Sequence, residues 1–315
     1  MRIERLAKNI RPSPDQNVQV KLMGNICELK HMQKEPQAHI RKLDKDNYID
    51  LTTGEVKEFQ HHEKRIDDFT SISQSLKRLR ELINCNATTD VKKCKWLTLT
   101  YAENQKDTER LYKDFKYFNS RLRYFLNKNG HPPYNYLAVA EPQKRGAWHL
   151  HVFMIFSCNA PFIHYDVIKN AWQKGAIQIK AMDNIDNVGA YLTPYLTDID
   201  IVDCVNDKNL KINDIREVEE VDEGGNKVDK AYIKGGRLKL YPAGMRLYRA
   251  SRGIKRPVVY ECTEKQAIQS VEGAALTYEK TIKIYDEKAD TVINVINYRQ
   301  YNKKANVKRG DKESV

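Results

Sequence analysis

The sequence predicts an α+β protein, in which an antiparallel sheet carries helices on one face and a strand-rich, basic C-terminal extension follows. Two observations lead to this class. Between residues 95 and 200, strand-like and helix-like hydrophobic periods alternate in the order β-α-β-β-α-β-α. After residue 197 the charge balance changes sharply. With 315 residues, the chain is long enough for one large domain or two modest ones.

The individual elements follow from the spacing of apolar residues. Residues 1–65 are polar and poorly periodic, apart from a strand-like piece at 18–22 and a turn at 52–54. Apolar residues three and four apart predict a helix over 68–84, and a linker follows. The next region predicts strands at 95–101, 134–141, 148–156 and 176–182, and helices at 107–127, 161–174 and 184–197. Beyond a hairpin tip at Gly224-Gly225, we predict a strand-rich stretch at 231–262, a helix at 264–271, and strands near 276–285 and 292–298.

The β-α-β-β-α-β order is that of ferredoxin-like folds, where helices lie on one face of an antiparallel sheet. The chain is therefore expected to have four regions: a polar N-terminal region at 1–94, an α+β domain at 95–200, a basic strand-rich region at 201–305, and a disordered tail at 306–315.

The charge distribution points to a polyanionic partner. The formal net charge is +12 and the pI about 9.2. Residues 224–257 carry ten Lys or Arg against one acid, whereas residues 198–223 carry ten acids against three bases. The basic block also contains Tyr232, Tyr241 and Tyr248, so it offers phosphate contacts together with stacking surfaces.

The six cysteines are dispersed and form no C-x-x-C pair. They indicate reduced cytosolic thiols rather than a disulfide framework or a zinc knuckle. The N-terminus is not followed by an apolar segment, and no run of about 18 apolar residues occurs. We therefore expect a cytoplasmic protein with no membrane partner.

Two histidines, His149 and His151, lie in the apolar run 148–156. Side chains alternate along a strand, so both imidazoles point to the same face. Imidazole is the commonest metal ligand among side chains, and such a pair offers two convergent nitrogens. Taken alone, the motif fits equally well two histidines on a half-exposed strand.

Glu141 ends the preceding strand and is joined to the histidine strand by a short loop. A hairpin would bring its carboxylate beside His149 and His151. Two nitrogens and one oxygen suit Mn²⁺, Mg²⁺ or Zn²⁺. By itself Glu141 would more often be a solvated loop acid, but beside the histidines a metal site is the favoured interpretation.

Two tyrosines, Tyr191 and Tyr195, are four residues apart in a predicted helix and share one helical face. Near a metal site, two phenols suggest nucleophiles. Aromatic core packing is the alternative explanation.

The three motifs together resemble the HUH endonuclease superfamily, and within it the rolling-circle replication initiators of Gram-positive plasmids and related mobile elements. The resemblance rests on Trp-Leu-Thr-Leu-Thr at 96–100, on the segment from Glu141 to His-Leu-His at 149–151, and on the tyrosine pair at 191–195, in the family's order. Residues 239–255 resemble the segment that comes after the nuclease core in those initiators.

The resemblance implies a site-specific DNA endonuclease and strand transferase. A divalent metal, Mn²⁺ or Mg²⁺, would lie on Glu141, His149 and His151, and Tyr191 or Tyr195 would attack single-stranded or hairpin DNA at a replication origin. The products would be a 5′-phosphotyrosine adduct and a free 3′-hydroxyl, and the strand would later be rejoined. A host helicase and polymerase are implied partners, since the sequence contains no Walker A motif.

One departure from the family concerns the residue between the tyrosines, where the family has lysine and this chain has Pro194. Proline cannot donate a charge-assisted hydrogen bond, and within a helix it introduces a kink. We therefore rank Tyr191 ahead of Tyr195, and Lys180 or Arg145 could supply the missing charge. The expected DNA-binding residues are Lys144, Arg145, Lys180, Arg246, Arg249, Arg252, Lys255 and Arg256.

Alternative functions remain open at this point. A relaxase is the nearest relative in the superfamily, but its tyrosine typically precedes the histidines, whereas here it follows them. A transposase of the HUH type has a similar order. A non-catalytic DNA-binding protein is the alternative from another class, and it would have no need for the metal set and the tyrosines together.

Overall fold

The computed structural model describes residues 2–35, 38–59, 69–87, 91–143, 145–180, 199–200, 215–221, 227–233, 240–242, 245–286 and 289–304. These residues form a mixed α/β structure with four α-helices, and the strand pairs are antiparallel. They group into two compact units. The terminal unit combines residues from 1–63 with residues from 257–315, and the central unit covers 64–256. The predicted four regions stay a prediction, and the compact units combine their segments differently.

The helices and strands of the described residues are numbered in chain order. They are β1 (Arg2–Arg5), β2 (Asn17–Met23), β3 (Ile26–Met32), β4 (Ile40–Lys42), β5 (Asn47–Asp50), β6 (Val56–Glu58), α1 (Phe69–Ala87), β7 (Cys94–Thr100), α2 (Thr108–Lys128), β8 (Tyr134–Pro142), β9 (Trp148–Phe156), α3 (Tyr165–Trp172), β10 (Ile177–Lys180), β11 (Ile199–Asp200), β12 (Ile215–Val221), β13 (Lys227–Ile233), β14 (Tyr248–Ala250), β15 (Val258–Thr263), α4 (Glu264–Ser270), β16 (Ala275–Tyr285) and β17 (Val292–Asn302).

The main sheet of the central unit has the strand order β10-β7-β9-β8-β14. Its strands are apolar on both faces, because both faces are covered. Leu97, Leu99 and Leu150 pack with α2 and α3 on one face. Trp96 and Phe153 pack with Leu79 and Ile83 of α1 on the other. Helix α1 therefore lies on the opposite side of the sheet from α2 and α3.

The helix boundaries follow from capping. Asp107 caps α2 by accepting hydrogen bonds from the backbone N–H groups of Glu109 and Arg110, as expected of an N-cap aspartate. Helix α3 begins later than predicted. His164 caps it by accepting from the backbone N–H of Asp166, so Pro161 lies before the helix rather than in its first turn. Helix α1 continues to Ala87, into the segment predicted as a linker from residue 84.

The terminal unit is built on a six-stranded sheet with the order β1-β16-β17-β3-β2-β15. Helix α4 packs on one face, where Ala267 and Val271 contact Val18, Val20 and Leu29. A second sheet, β4-β5-β6, lies between β3 and α1 in the chain. The expectation of a single strand-like piece in residues 1–65 is therefore wrong, since six strands occur there. Most of them pair with each other or with distant segments, and the local sequence pattern carries little of that information.

Some predictions fall outside the described residues. The helix predicted at 184–197 and the hairpin tip at Gly224-Gly225 belong to this group. On either side of that tip, β12 and β13 pair in antiparallel register from Val221–Lys227 to Ile215–Ile233. Among the helices that the structure describes, none has the length and apolar character required to cross a membrane.

Candidate metal centre

Glu141, His149 and His151 meet at the end of the β8–β9 hairpin. In the ladder, Glu141 is directly opposite His149, and His151 is directly opposite Thr98 of β7. Side chains two residues apart share a face, so all three point to the face of the sheet that carries α1. One ligand atom from each residue lies within 4.8 Å of the others. The predicted convergence of these side chains is confirmed.

The three side chains are already in contact with each other. His151 Nε2 hydrogen-bonds to Glu141 Oε2, and His149 Nδ1 lies 3.9 Å from the same oxygen. The side chains of Glu141 and His151 are 6% and 11% exposed, whereas that of His149 is 21% exposed. The cluster is therefore buried on the Glu141–His151 side and accessible at His149.

Two residues of β7 hold the His151 ring. Thr98 Oγ1 lies 3.1 Å from His151 Nδ1, and Trp96 stacks against the ring with centroids 5.3 Å apart and planes 24° apart. If Nε2 turns its lone pair toward an ion, Nδ1 carries the proton and donates it to Thr98 Oγ1. Metal-bound histidines usually have such a second hydrogen bond, which fixes tautomer and orientation.

The hairpin turn is anchored to the segment that leads into α2. Gly146 adopts a left-handed φ of +85°, and a Cβ there would lie 3.0 Å from Lys106 Cε. Trp148 donates from its backbone N–H to the Gln105 carbonyl and from its indole N–H to the Lys106 carbonyl. These bonds fix the start of β9, and with it the position of His149.

The donor set fits a divalent metal ion. Two imidazole nitrogens and one carboxylate oxygen are the mixed ligands expected for Mn²⁺, Mg²⁺ or Zn²⁺. Their spacing and the hydrogen bond from Thr98 provide what a metal site needs: converging donors and a supported ligand. The arrangement could therefore bind a metal ion, without specifying which one.

Several of the sequence-predicted site residues lie outside the described residues. These are Tyr191, Tyr195, Pro194 and Lys144. Their roles stay predictions.

The two residues expected to replace the missing lysine differ in their surroundings. Arg145 donates from Nη2 to the Tyr101 carbonyl and from Nε to Gln143 Oε1, so its guanidinium is held at the hairpin turn. Lys180 ends β10 directly opposite Trp96, and it is exposed. Opposed residues share a face, so Lys180 lies on the same face as the His/Glu cluster.

The arginines of the basic block are brought together at the edge strand β14. Arg246 and Arg249 line a cavity of about 570 Å³ with Arg78 and Ser75 of α1, and a neighbouring cavity of about 530 Å³ with Tyr112. The Arg249 guanidinium lies 3.6 Å from the centroid of the Tyr112 ring. This groove combines guanidinium groups with aromatic rings.

Arg252, Lys255 and Arg256 continue the segment and are exposed. The backbone of Lys255 is bound on both sides by Asn86, which accepts from its N–H and donates to its carbonyl. These three cations are therefore displayed from a fixed backbone.

Sequence reasoning missed Thr98, Trp96 and Arg78. Thr98 and Trp96 lie in a recognised strand motif, but only the register between β7 and β9 reveals that both contact His151. Arg78 lies in a helix predicted from its apolar spacing alone, and nothing in that spacing connects it to Arg246.

Comparison with known proteins identifies one family. Residues 94–200 match the model of a family described as Replication-associated protein ORF2. The matched segment contains β7 to β10 and the whole His/Glu cluster. No curated protein and no solved structure gives a significant match. The family match suggests a replication initiator of the rolling-circle kind.

Proposed function

We propose that this chain initiates rolling-circle replication by nicking single-stranded DNA at an origin. The observation that carries the proposal is the cluster of Glu141, His149 and His151 inside the segment that matches a replication-associated family. A protein that only binds DNA has no need for these three buried, converging ligands.

The sheet order supports a ferredoxin-like nuclease core of the HUH type. In the β-α-β-β-α-β segment, the sheet order β10-β7-β9-β8 corresponds to the fourth, first, third and second strands in the chain. Helices α2 and α3 are the two crossover connections and pack together on one face. The opposite face is then available for the site.

Glu141, His149 and His151 would hold the metal ion, which we expect to be Mn²⁺ or Mg²⁺. When bound, it supplies positive charge that polarises a non-bridging phosphate oxygen. Thr98 keeps His151 in the tautomer that presents Nε2. The accessible side at His149 is where a phosphate would approach.

The bond-breaking step is assigned to Tyr191. A phenol with a pKa near 10 needs activation before it attacks at neutral pH. Its oxygen forms a bond to phosphorus, the bond from phosphorus to the 3′-oxygen breaks, and that oxygen takes up a proton. The 5′ side of the nick stays linked to the tyrosine, and the 3′-hydroxyl primes synthesis. Reversal of the step rejoins the strand without ATP.

Single-stranded DNA is the expected substrate because it presents its phosphodiester without the cost of unpairing. The groove of Arg78, Arg246 and Arg249, with Lys180 and the other exposed cations, would hold its phosphates. Strand separation and synthesis would then require a helicase and a polymerase.

Adduct formation tests the proposal. The protein is incubated with Mn²⁺ and a labelled pool of single-stranded oligonucleotides that carry randomised hairpins. We expect a labelled adduct on denaturing gels from the unmodified chain and none from His149→Ala, while His149→Ala still binds the pool. His39→Ala, at an exposed histidine of the terminal unit, is the matched control and should form the adduct.

The outcomes separate the proposal from its alternatives. Binding without any adduct, in every metal tried, would indicate the non-catalytic DNA-binding protein. An equal yield of adduct from His149→Ala would remove the metal site from the mechanism. Relaxase and transposase activities share the adduct, so the sequence of the selected hairpin, from an origin or from an element end, distinguishes them.

A further inference from the structure

The terminal unit has a sheet face with an unusual composition. Helix α4 packs on one face of this sheet, against Val18, Val20 and Leu29. On the other face, strand register aligns Gln19, Lys30, Tyr298 and Lys280 in one row across β2, β3, β17 and β16. The neighbouring row contains Lys21, Glu28, Gln300 and Tyr278. We call this surface, centred on Tyr278 and Tyr298, the tyrosine face.

Cations surround both tyrosines. The Nζ atoms of Lys30 and Lys280 lie 5.8 and 5.2 Å from the centroid of the Tyr298 ring. Lys280 and Arg5 each lie 6.0 Å from the Tyr278 ring centroid. Lys280 thus lies between the two rings, which are diagonal neighbours in the ladder, about 7–8 Å apart between Cα atoms.

The charges in these rows favour an anionic ligand. Arg5, Lys21, Lys30 and Lys280 face two acids, Glu28 and Glu261, and the three cations nearest the tyrosines are Arg5, Lys30 and Lys280. Tyr278 is 43% exposed, and Tyr298 is half-buried. A face that only keeps the sheet in water needs charges, but it has no need for exposed aromatic rings in its centre.

Rings flanked by cations on a sheet suit a ligand with flat π-surfaces and regularly spaced negative charges. Single-stranded nucleic acid has both features: unpaired bases stack on aromatic side chains, and lysine and arginine neutralise phosphates. Duplex DNA keeps its bases stacked inside and cannot use the tyrosines.

We propose that the tyrosine face binds single-stranded DNA, with bases stacked on Tyr278 and Tyr298 and phosphates held by Arg5, Lys30 and Lys280. The choice of DNA over RNA rests on the proposed function, whereas the stacking chemistry does not. This site belongs to the terminal unit, and it is separate from the His/Glu cluster and the arginines at β14, which belong to the central unit.

Fluorescence anisotropy of a labelled oligothymidine measures this binding. The full chain carries His149→Ala, so the readout does not depend on nicking. Tyr278→Ala and Tyr298→Ala should each weaken binding about fivefold or more, since each stacked base contributes about 1–3 kcal/mol. Tyr278→Phe and Tyr298→Phe keep the ring and should bind as the parent. Tyr260→Ala, which is opposite Val20 and hence on the α4 face, is the matched control.

Salt dependence tests the phosphate contacts. Changing Lys30 and Lys280 to Gln should flatten the slope of log affinity against log salt by about 0.7 for each phosphate that is no longer neutralised. A duplex of the same length should compete poorly. Unchanged affinity in folded Tyr278→Ala and Tyr298→Ala variants, or preference for duplex or RNA, would overturn the proposal.

A measurement on the parent protein keeps the test decisive if an alanine variant fails to fold. Ultraviolet cross-linking to a single strand that contains 5-bromodeoxyuridine, followed by peptide mapping, should label β16 or β17. Labelling confined to the central unit would contradict the proposal. Because nicking is scored separately in the unmodified chain, a failure here leaves the proposed function standing, and the converse also holds.

Discussion

Thr98→Val should weaken metal binding without unfolding the protein. Thr98 Oγ1 is 3.1 Å from Nδ1 of His151, whose side chain is only 11% exposed. Valine has nearly the same shape and suits a strand, so the local packing survives. It removes the acceptor that holds His151 with Nε2 free for a metal.

The magnitude follows from the loss of that one bond. A buried donor left without an acceptor costs about 1–3 kcal/mol. Loss of an outer-shell partner of a metal-ligating histidine typically lowers affinity or activity about 10- to 100-fold, which corresponds to about 1.4–2.7 kcal/mol. The two ranges agree, so we expect Mn²⁺ to bind about 10- to 100-fold more weakly.

Isothermal titration with Mn²⁺ measures this change, and circular dichroism checks the fold. Thr98→Ser retains the hydroxyl and is the matched control; it should bind within about threefold of the parent, a difference of less than about 0.7 kcal/mol. If Thr98→Val binds Mn²⁺ as tightly as the parent, the reasoning about the His151 tautomer is refuted.

Two further changes test other parts of the structure. Arg299 is fully buried and bound at both nitrogens by Glu264, with distances of 2.5 and 2.6 Å, so Glu264→Gln should leave a buried, uncompensated charge and cost about 3–5 kcal/mol in urea unfolding; a loss below about 1 kcal/mol would mean that water compensates it. Replacing the exposed arginines of the basic segment with Gln should flatten the salt slope of single-strand binding by about 0.7 per phosphate contact, and an unchanged slope would assign them another role. These arginines are Arg246, Arg249 and Arg252.

The candidate site was largely predictable because its signal is local. Alternation along a strand places His149 and His151 on one face, and a short hairpin brings Glu141 opposite His149. Both statements need only a few consecutive residues. The contribution of Thr98 depends on the pairing of β7 with β9, across 53 residues of chain, and local patterns do not determine such pairing.

The terminal unit was the least predictable part for the same reason. Strand β17 pairs with β3, and β15 pairs with β2, so one sheet is formed from the two ends of the chain. The short strands β4 and β6 have three residues each, too few to show a period. Capping also moved a boundary: the side chain of His164, rather than Pro161, marks the start of α3.

The central claim is that a tyrosine of this chain becomes covalently linked to DNA in a metal-dependent reaction. The most direct measurement is peptide mapping, by mass spectrometry, of the adduct formed with Mn²⁺ and a hairpin oligonucleotide. We predict a nucleotide attached to Tyr191, loss of the adduct in Tyr191→Phe, and formation of the adduct in Tyr195→Phe. Cleaved DNA with no protein attached would contradict the account, and an adduct on Tyr195 alone would show that the roles of the two tyrosines are reversed.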